Sequence, residues 1–129
     1  MKKIILIASL FLIYTFHALF NEPKLSEEIN GLRNPWSISF INDTKALITE
    51  KSGKLIIYNI DSKEKTYVTG VPSIAYGGQG GLGDVILHPD YKTNKLIYFS
   101  YVEEDTKGNR GAVVAKAKLN ISGSTSSLT

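Results

Sequence analysis

One plan is written twice in this chain, and the spacing of the two copies limits what it can fold into. Each copy has a strand-like run, a turn built on Asn-Asp or Pro-Asp, and a second run led by lysine. Phe40 and Leu87 stand at equivalent places, 47 positions apart. In the first copy Pro35 to Ile41 alternates large apolar with small polar residues, which suits a half-buried strand. Turn residues Asn42 to Lys45 follow, then Ala46 to Glu50, the tight Lys51-Ser52-Gly53 turn, Lys54 to Ile60, and a short Lys65 to Val68. In the second copy Gly83 to Leu87 leads through the His88–Asn94 turn into Lys95 to Val102. Beyond a polar loop from Glu103 to Arg110, Ala112 to Leu119 sets Val113, Ala115, Ala117 and Leu119 on one face, with Lys116 and Lys118 on the other.

A repeat of roughly 40–50 residues made of four short strands is the mark of propeller blades. The expectation is therefore an all-β chain, with a first blade over about residues 31–70 and an incomplete second over about 83–129. The last ten residues, Asn120 to Thr129, are rich in Ser, Thr and Gly and read as loop, leaving the second blade with three strands. Propellers close with about four to eight blades, so two would be part of a larger ring. A seven-strand sandwich fits the strand count but not the repeat.

Between the copies lies Gly77-Gly78-Gln79-Gly80-Gly81-Leu82-Gly83, which holds five of the eleven glycines. Glycine at this density allows positive φ and close approach of another group. Gln79 is the one long polar side chain inside the loop, and any ligand-binding role must start from it. The segment satisfies G-x-G-x-x-G in form. A dinucleotide site needs a helix to begin there, whereas Asp84 to Leu87 is strand-like and Pro89 ends it. That motif is set aside.

The absence of cysteine excludes a disulfide framework, a thiol nucleophile and Cys-based zinc. The net charge of +3 is largely local, because removing residues 1–20 leaves 13 basic against 12 acidic residues. The remaining lysines are scattered among carboxylates and form no stripe for a phosphate backbone, so nucleic acid is not an expected partner. At the N-terminus, Lys2 and Lys3 precede an apolar run from Ile4 to Phe20, the pattern of a secretory signal, with no clean small-x-small cleavage site. The run is also at the lower limit for a membrane span, so residues 1–20 read as a signal peptide or a retained anchor, through which the chain would attach to the membrane. Residues 21–30 read as an extended leader. Either way, the remainder is expected to be exported.

Several of these segments together resemble the soluble quinoprotein glucose/sorbosone dehydrogenase family. Asn34-Pro35-Trp36-Ser37-Ile38 and Leu47-Ile48-Thr49-Glu50-Lys51-Ser52-Gly53-Lys54-Leu55 are similar to its opening blade. Val71-Pro72, Gly78-Gln79-Gly80-Gly81-Leu82, Leu87-His88-Pro89-Asp90-Tyr91 and Ile97-Tyr98-Phe99-Ser100-Tyr101 match its N-terminal block in order and spacing. The resemblance covers about residues 31–119. It implies the N-terminal two blades of a six-bladed β-propeller, periplasmic or secreted. It also implies oxidation of an aldose at C1 to a lactone with hydride transfer to pyrroloquinoline quinone (PQQ), aided by calcium. The glutamine of the family's glycine-rich block faces the substrate and maps onto Gln79, whose amide can both donate to and accept from a sugar hydroxyl. The family's catalytic base, its quinone-contacting residues and its calcium ligands match no position in this chain. No catalytic, cofactor-binding or metal residue is therefore assigned, and the chain alone is expected to be inactive. A non-catalytic propeller module binding a carbohydrate or a protein is the alternative.

Further candidates carry less. His88 is the only histidine beyond residue 20, but the family match places His-Pro-Asp in a turn that it shapes. Asp84 and Asp90 lack a third carboxylate at metal-ligand spacing, so no calcium loop is expected from them. Asn42-Asp43-Thr44 and Asn120-Ile121-Ser122 match glycosylation acceptors, relevant only in a eukaryotic secretory path.

Overall fold

The computed structural model describes residues 24–129. The expected signal or anchor over residues 1–20 lies outside them, and no helix among the described residues is long and apolar enough to cross a membrane. Met1–Asn30 and Gly31–Thr129 are separate units. In the first, Lys24–Asn30 has no regular structure. The second contains every element named below.

The first half of Gly31–Thr129 is a four-stranded antiparallel meander of β1 (Pro35–Asn42), β2 (Lys45–Glu50), β3 (Lys54–Asn59) and β4 (Lys65–Tyr67), in that order. Its turns are fixed by local side chains. Asn42 Oδ1 accepts from the Thr44 N–H and hydroxyl, and Asn59 Oδ1 accepts from the Asp61 and Ser62 N–H groups. These Asx interactions compete with continuing the strand and so end it. β2 and β3 pair Leu47 with Ile57 and Thr49 with Leu55. β1 is half-buried, but its large residues lie on the open side. Trp36, Ile38 and Phe40 are more than half exposed, whereas Ser37, Ser39 and Ile41 are half-buried.

The second half repeats the meander with β5 (Leu82–Leu87), β6 (Leu96–Glu104), β7 (Arg110–Ser122) and β8 (Thr125–Leu128). A single helical turn, α1 (Tyr91–Asn94), sits between β5 and β6. The expected alternation of β7 is present, with Val113, Ala115, Ala117 and Leu119 more buried than Lys116 and Lys118.

The expected terminal loop from Asn120 to Thr129 is corrected by the structure. β7 continues to Ser122, turns at Gly123-Ser124 and pairs with β8, with Leu119 opposite Leu128 and Ile121 opposite Ser126. The second sheet therefore has four strands, not three. Burial of Leu128 and Ser126 outweighs the loop-like composition, because burial rather than intrinsic preference decides a short strand.

One apolar cluster joins the sheets. Leu47, Leu55 and Ile57 come from the first, and Val85, Ile97, Phe99, Leu119 and Leu128 from the second, with Tyr91 of α1. Fully burying each such side chain contributes about 1.5–3 kcal/mol, so this cluster holds the sheets face to face. A second tie runs along their outer edges. The Thr69 N–H donates to Ser126 O and Thr69 O accepts from the Leu128 N–H, both at 2.9 Å. This parallel bridge occupies part of the β8 edge that would otherwise be open to another strand.

Candidate functional site

The glycine segment leaves the first sheet and enters β5 as a tight reversal. The Gly80 N–H donates to Gly77 O at 2.9 Å, and the Gly77 N–H to Gly80 O at 3.3 Å. Gly78 and Gln79 are the two central residues. Gly78 has φ +56 while Gln79 is not in the positive region, the pattern of a type II′ turn, which takes glycine first. Gln79 is thereby presented at the tip, exposed. Its amide makes no hydrogen bond among the described residues, so it is not spent on the loop's own backbone. No helix follows; β5 begins at Leu82, in agreement with setting the dinucleotide motif aside.

Two cations grip this turn, neither of them legible from the residue pattern. Lys51, in the β2–β3 turn, donates from Nζ to Gly78 O at 3.1 Å. The same ammonium lies 5.2 Å from the centroid of the Trp36 ring. Arg110, at the start of β7, donates from Nη2 to Ala75 O and from Nη1 to Gly77 O at 3.5 Å. Its Nε faces Glu104 Oε2 at 3.6 Å. Backbone bonds add to the grip, with the Leu82 N–H donating to Lys51 O and the Val102 N–H to Gly81 O, both at 3.0 Å. A Cβ on Gly81 would lie 2.5 Å from Lys51 O, so the glycine here permits a close approach.

On the first sheet, Asn34 Nδ2 donates to the Tyr76 hydroxyl at 2.9 Å. Glu50 is buried; its Oε1 accepts from the Arg33 N–H at 2.7 Å. Its Oε2 takes no hydrogen bond and faces Lys54 Nζ at 3.8 Å. The chain entering β1 is thus tied to the turn that carries Lys51.

Gln79 lines a shallow hollow of about 280 Å³ with Trp36, Lys51, Asp84, Ser100 and Tyr101. His88 is at the opposite end of β5. Its Nδ1 accepts from the Asp90 N–H at 3.0 Å and lies 2.9 Å from Asn94 Nδ2. With the Nδ1 lone pair committed to the turn that precedes β6, His88 shapes the backbone, as the sequence suggested. Among the described residues no group of three His, Cys, Asp or Glu side chains could hold a metal ion.

Two four-stranded antiparallel meanders packed face to face, joined by a clamped glycine turn, define a pair of β-propeller blades. The profile of the glucose/sorbosone dehydrogenase family matches residues 32–129, and the chain belongs to that family. The aldose sugar dehydrogenase YliI of Escherichia coli (strain K12) is 34% identical over 90 residues, covering 69% of this chain and 24% of the relative. A solved glucose dehydrogenase is 30% identical with TM-score 0.76, over 83% of this chain and 34% of that one. The PQQ-bound form of an aldose sugar dehydrogenase from Streptomyces coelicolor shares the fold, with TM-score 0.65 at 20% identity, over 74% of this chain and 28% of that one. The chain spans about a quarter of the length of the curated relatives it matches.

Proposed function

We propose that this chain supplies the sugar-facing first two blades of an exported, PQQ-dependent aldose dehydrogenase, with Gln79 contacting a sugar hydroxyl. The observation that carries this is the Gln79 amide itself, unengaged at the tip of a turn that Lys51 and Arg110 hold in place. A rigid turn spares the ordering cost that a mobile one would impose on binding. The amide then offers a donor and an acceptor together, which suits a vicinal hydroxyl pair.

PQQ would supply the two-electron acceptor for oxidation at C1. Its pocket would be completed by residues outside 24–129. Lys51 and Arg110, the cations beside Gln79, direct donors to backbone carbonyls of the glycine turn, which assigns them to holding that turn. Calcium would likewise take its ligands from outside residues 24–129. Export rests on the Lys2-Lys3 start and the apolar run that follows, with membrane attachment through residues 4–20 if that run is retained.

The test is a chimera in which residues 31–129 replace the matching blades of the E. coli relative. With PQQ, calcium, D-glucose and an artificial electron acceptor, the chimera is expected to turn over, and the chain alone is not. A chimera that folds but oxidises no aldose overturns the proposal. It would favour a non-catalytic carbohydrate- or protein-binding propeller.

A further inference from the structure

We infer that Trp36 and Asp84 complete, with Gln79, a hollow that recognises a single pyranose ring, Trp36 as its stacking platform and Asp84 as its hydroxyl acceptor. The inference rests on the proposed sugar-facing role of Gln79 and extends it to two residues with no assigned part.

Both stand at irregularities in the first strand of their sheet. In β1 the register steps from Pro35–Glu50 to Ser37–Thr49 and passes over Trp36. In β5 it steps from Leu82–Tyr101 to Val85–Phe99, leaving Gly83 and Asp84 against Ser100 alone. A bulge re-aims a side chain and is common beside functional sites. The second bulge is packed tightly, because a Cβ on Gly83 would lie 2.5 Å from Ser100 Oγ. The same hydroxyl accepts from the Asp84 N–H at 3.0 Å, satisfying the donor that the bulge takes out of the ladder.

A single buried hydroxyl links the two bulges. Thr49 is fully buried. Its Oγ1 accepts from the Ser37 N–H at 3.1 Å and donates to Gly83 O at 2.8 Å. Ser37 Oγ in turn accepts from the Val85 N–H at 3.4 Å. Trp36 and Asp84 are therefore held in a fixed relation across the gap between the sheets, which is the preorganisation a binding site needs.

The chemistry of the lining suits a sugar. Trp36 is 53% exposed with the Lys51 ammonium over one face of its ring, so an apolar C–H face would stack on the part of the indole that Lys51 leaves open. Ring faces carry partial negative charge and attract such hydrogens. Asp84 is exposed, and its carboxylate makes no hydrogen bond or ion pair among the described residues, leaving it free to accept from hydroxyls. At about 280 Å³ the hollow is just below the range of small-ligand pockets, which run from roughly 300 Å³ upward. That size fits one ring and not an oligosaccharide.

Trp36 is the only tryptophan in the chain, so tryptophan emission, excited beyond the tyrosine absorption band, reports on the hollow. Titrating the full chain with D-glucose should change that emission to saturation, whereas glycerol at matched concentrations should not. Asp84→Asn should raise the half-saturation concentration at least fivefold with an unchanged circular dichroism spectrum. Asp43→Asn, in the β1–β2 turn, should leave it where it was. Absence of a saturable response, or an unmoved midpoint in D84N, overturns the inference. An oxidising chimera alongside a chain that binds no glucose sinks this inference and leaves the proposed activity standing. A glucose-binding chain alongside an inert chimera does the reverse.

Discussion

Arg110 lies 35 residues beyond Ala75, and its guanidinium donates to the Ala75 carbonyl. A second donation, to Gly77 O at 3.5 Å, fixes the start of the turn that presents Gln79. Because Arg110 is exposed, the bonds are partly screened, and each contributes about 0.5–1.5 kcal/mol, its ion pair with Glu104 less. Arg110→Ala is expected to lower stability by about 1 kcal/mol and to speed amide exchange at Gly77 and Gly80 well beyond that at Ile97. Uniform acceleration across both sheets would show that Arg110 has no local hold on the turn.

Gly81 and Gly111 offer a matched pair of glycine substitutions. Gly81 has φ +153 and no room for a Cβ beside Lys51 O, whereas Gly111 has nothing within 4 Å and no positive φ. Gly81→Ala should cost at least about 1–3 kcal/mol through forced backbone movement, while Gly111→Ala should be neutral or slightly stabilising. Urea titration of the two variants checks the contrast, which vanishes if the close approach at Gly81 is absent in solution.

Removing the Glu50 side chain should leave the Arg33 N–H without its 2.7 Å acceptor. The carboxylate is 2% exposed, so the loss is not made good by bulk water. Glu50→Ala is expected to destabilise by about 1–3 kcal/mol, and Glu50→Gln, which retains an acceptor, by less. Equal losses in both variants would mean that charge, through Lys54, outweighs the hydrogen bond.

The β6–β7 turn should loosen in acid. The Asn109 side chain, then the Asn109 backbone N–H, hold the Asp105 carboxyl below the usual carboxylate range, with smaller help from the Lys107 and Gly108 N–H groups. A depressed folded pKa means that the ionised form is favoured on folding. Its contribution is present above the ordinary Asp value and is lost as pH falls through the lower folded value. Amide exchange at Lys107 and Asn109 should therefore accelerate, relative to the sheets, as the solution is acidified through that window. Asp105→Asn should abolish the pH dependence.

Much of the architecture could be read from residues. β1 to β7 announce themselves by alternation, β-branched runs and turn chemistry, and the 47-residue offset exposes the repeat. β8 did not, because Thr125-Ser126-Ser127-Leu128 has the composition of a loop and becomes a strand through the burial of Ser126 and Leu128. The open face of β1 was equally hidden, since alternation separates two faces of a strand without saying which is covered. Around the candidate site, Gln79 stood out as the one long polar side chain among glycines. Lys51 and Arg110 could not, because each acts on backbone carbonyls distant in sequence, and a carbonyl has no residue signature. Trp36 and Asp84 are brought together by two register shifts and a shared Thr49 hydroxyl, none of which alters the local pattern.

The bridge from Thr69 to β8 bears on how the chain is made. Its two hydrogen bonds join Thr69 to Ser126 and Leu128, across almost the whole of the second sheet. Contacts at such separation form late, because the loop must close before they reward it. On the ribosome the first meander would emerge while the partner for Thr69 was still unsynthesised. Its outer edge would wait for β8, the last of the eight described strands to appear, and that interval is when a holding chaperone would have most to protect.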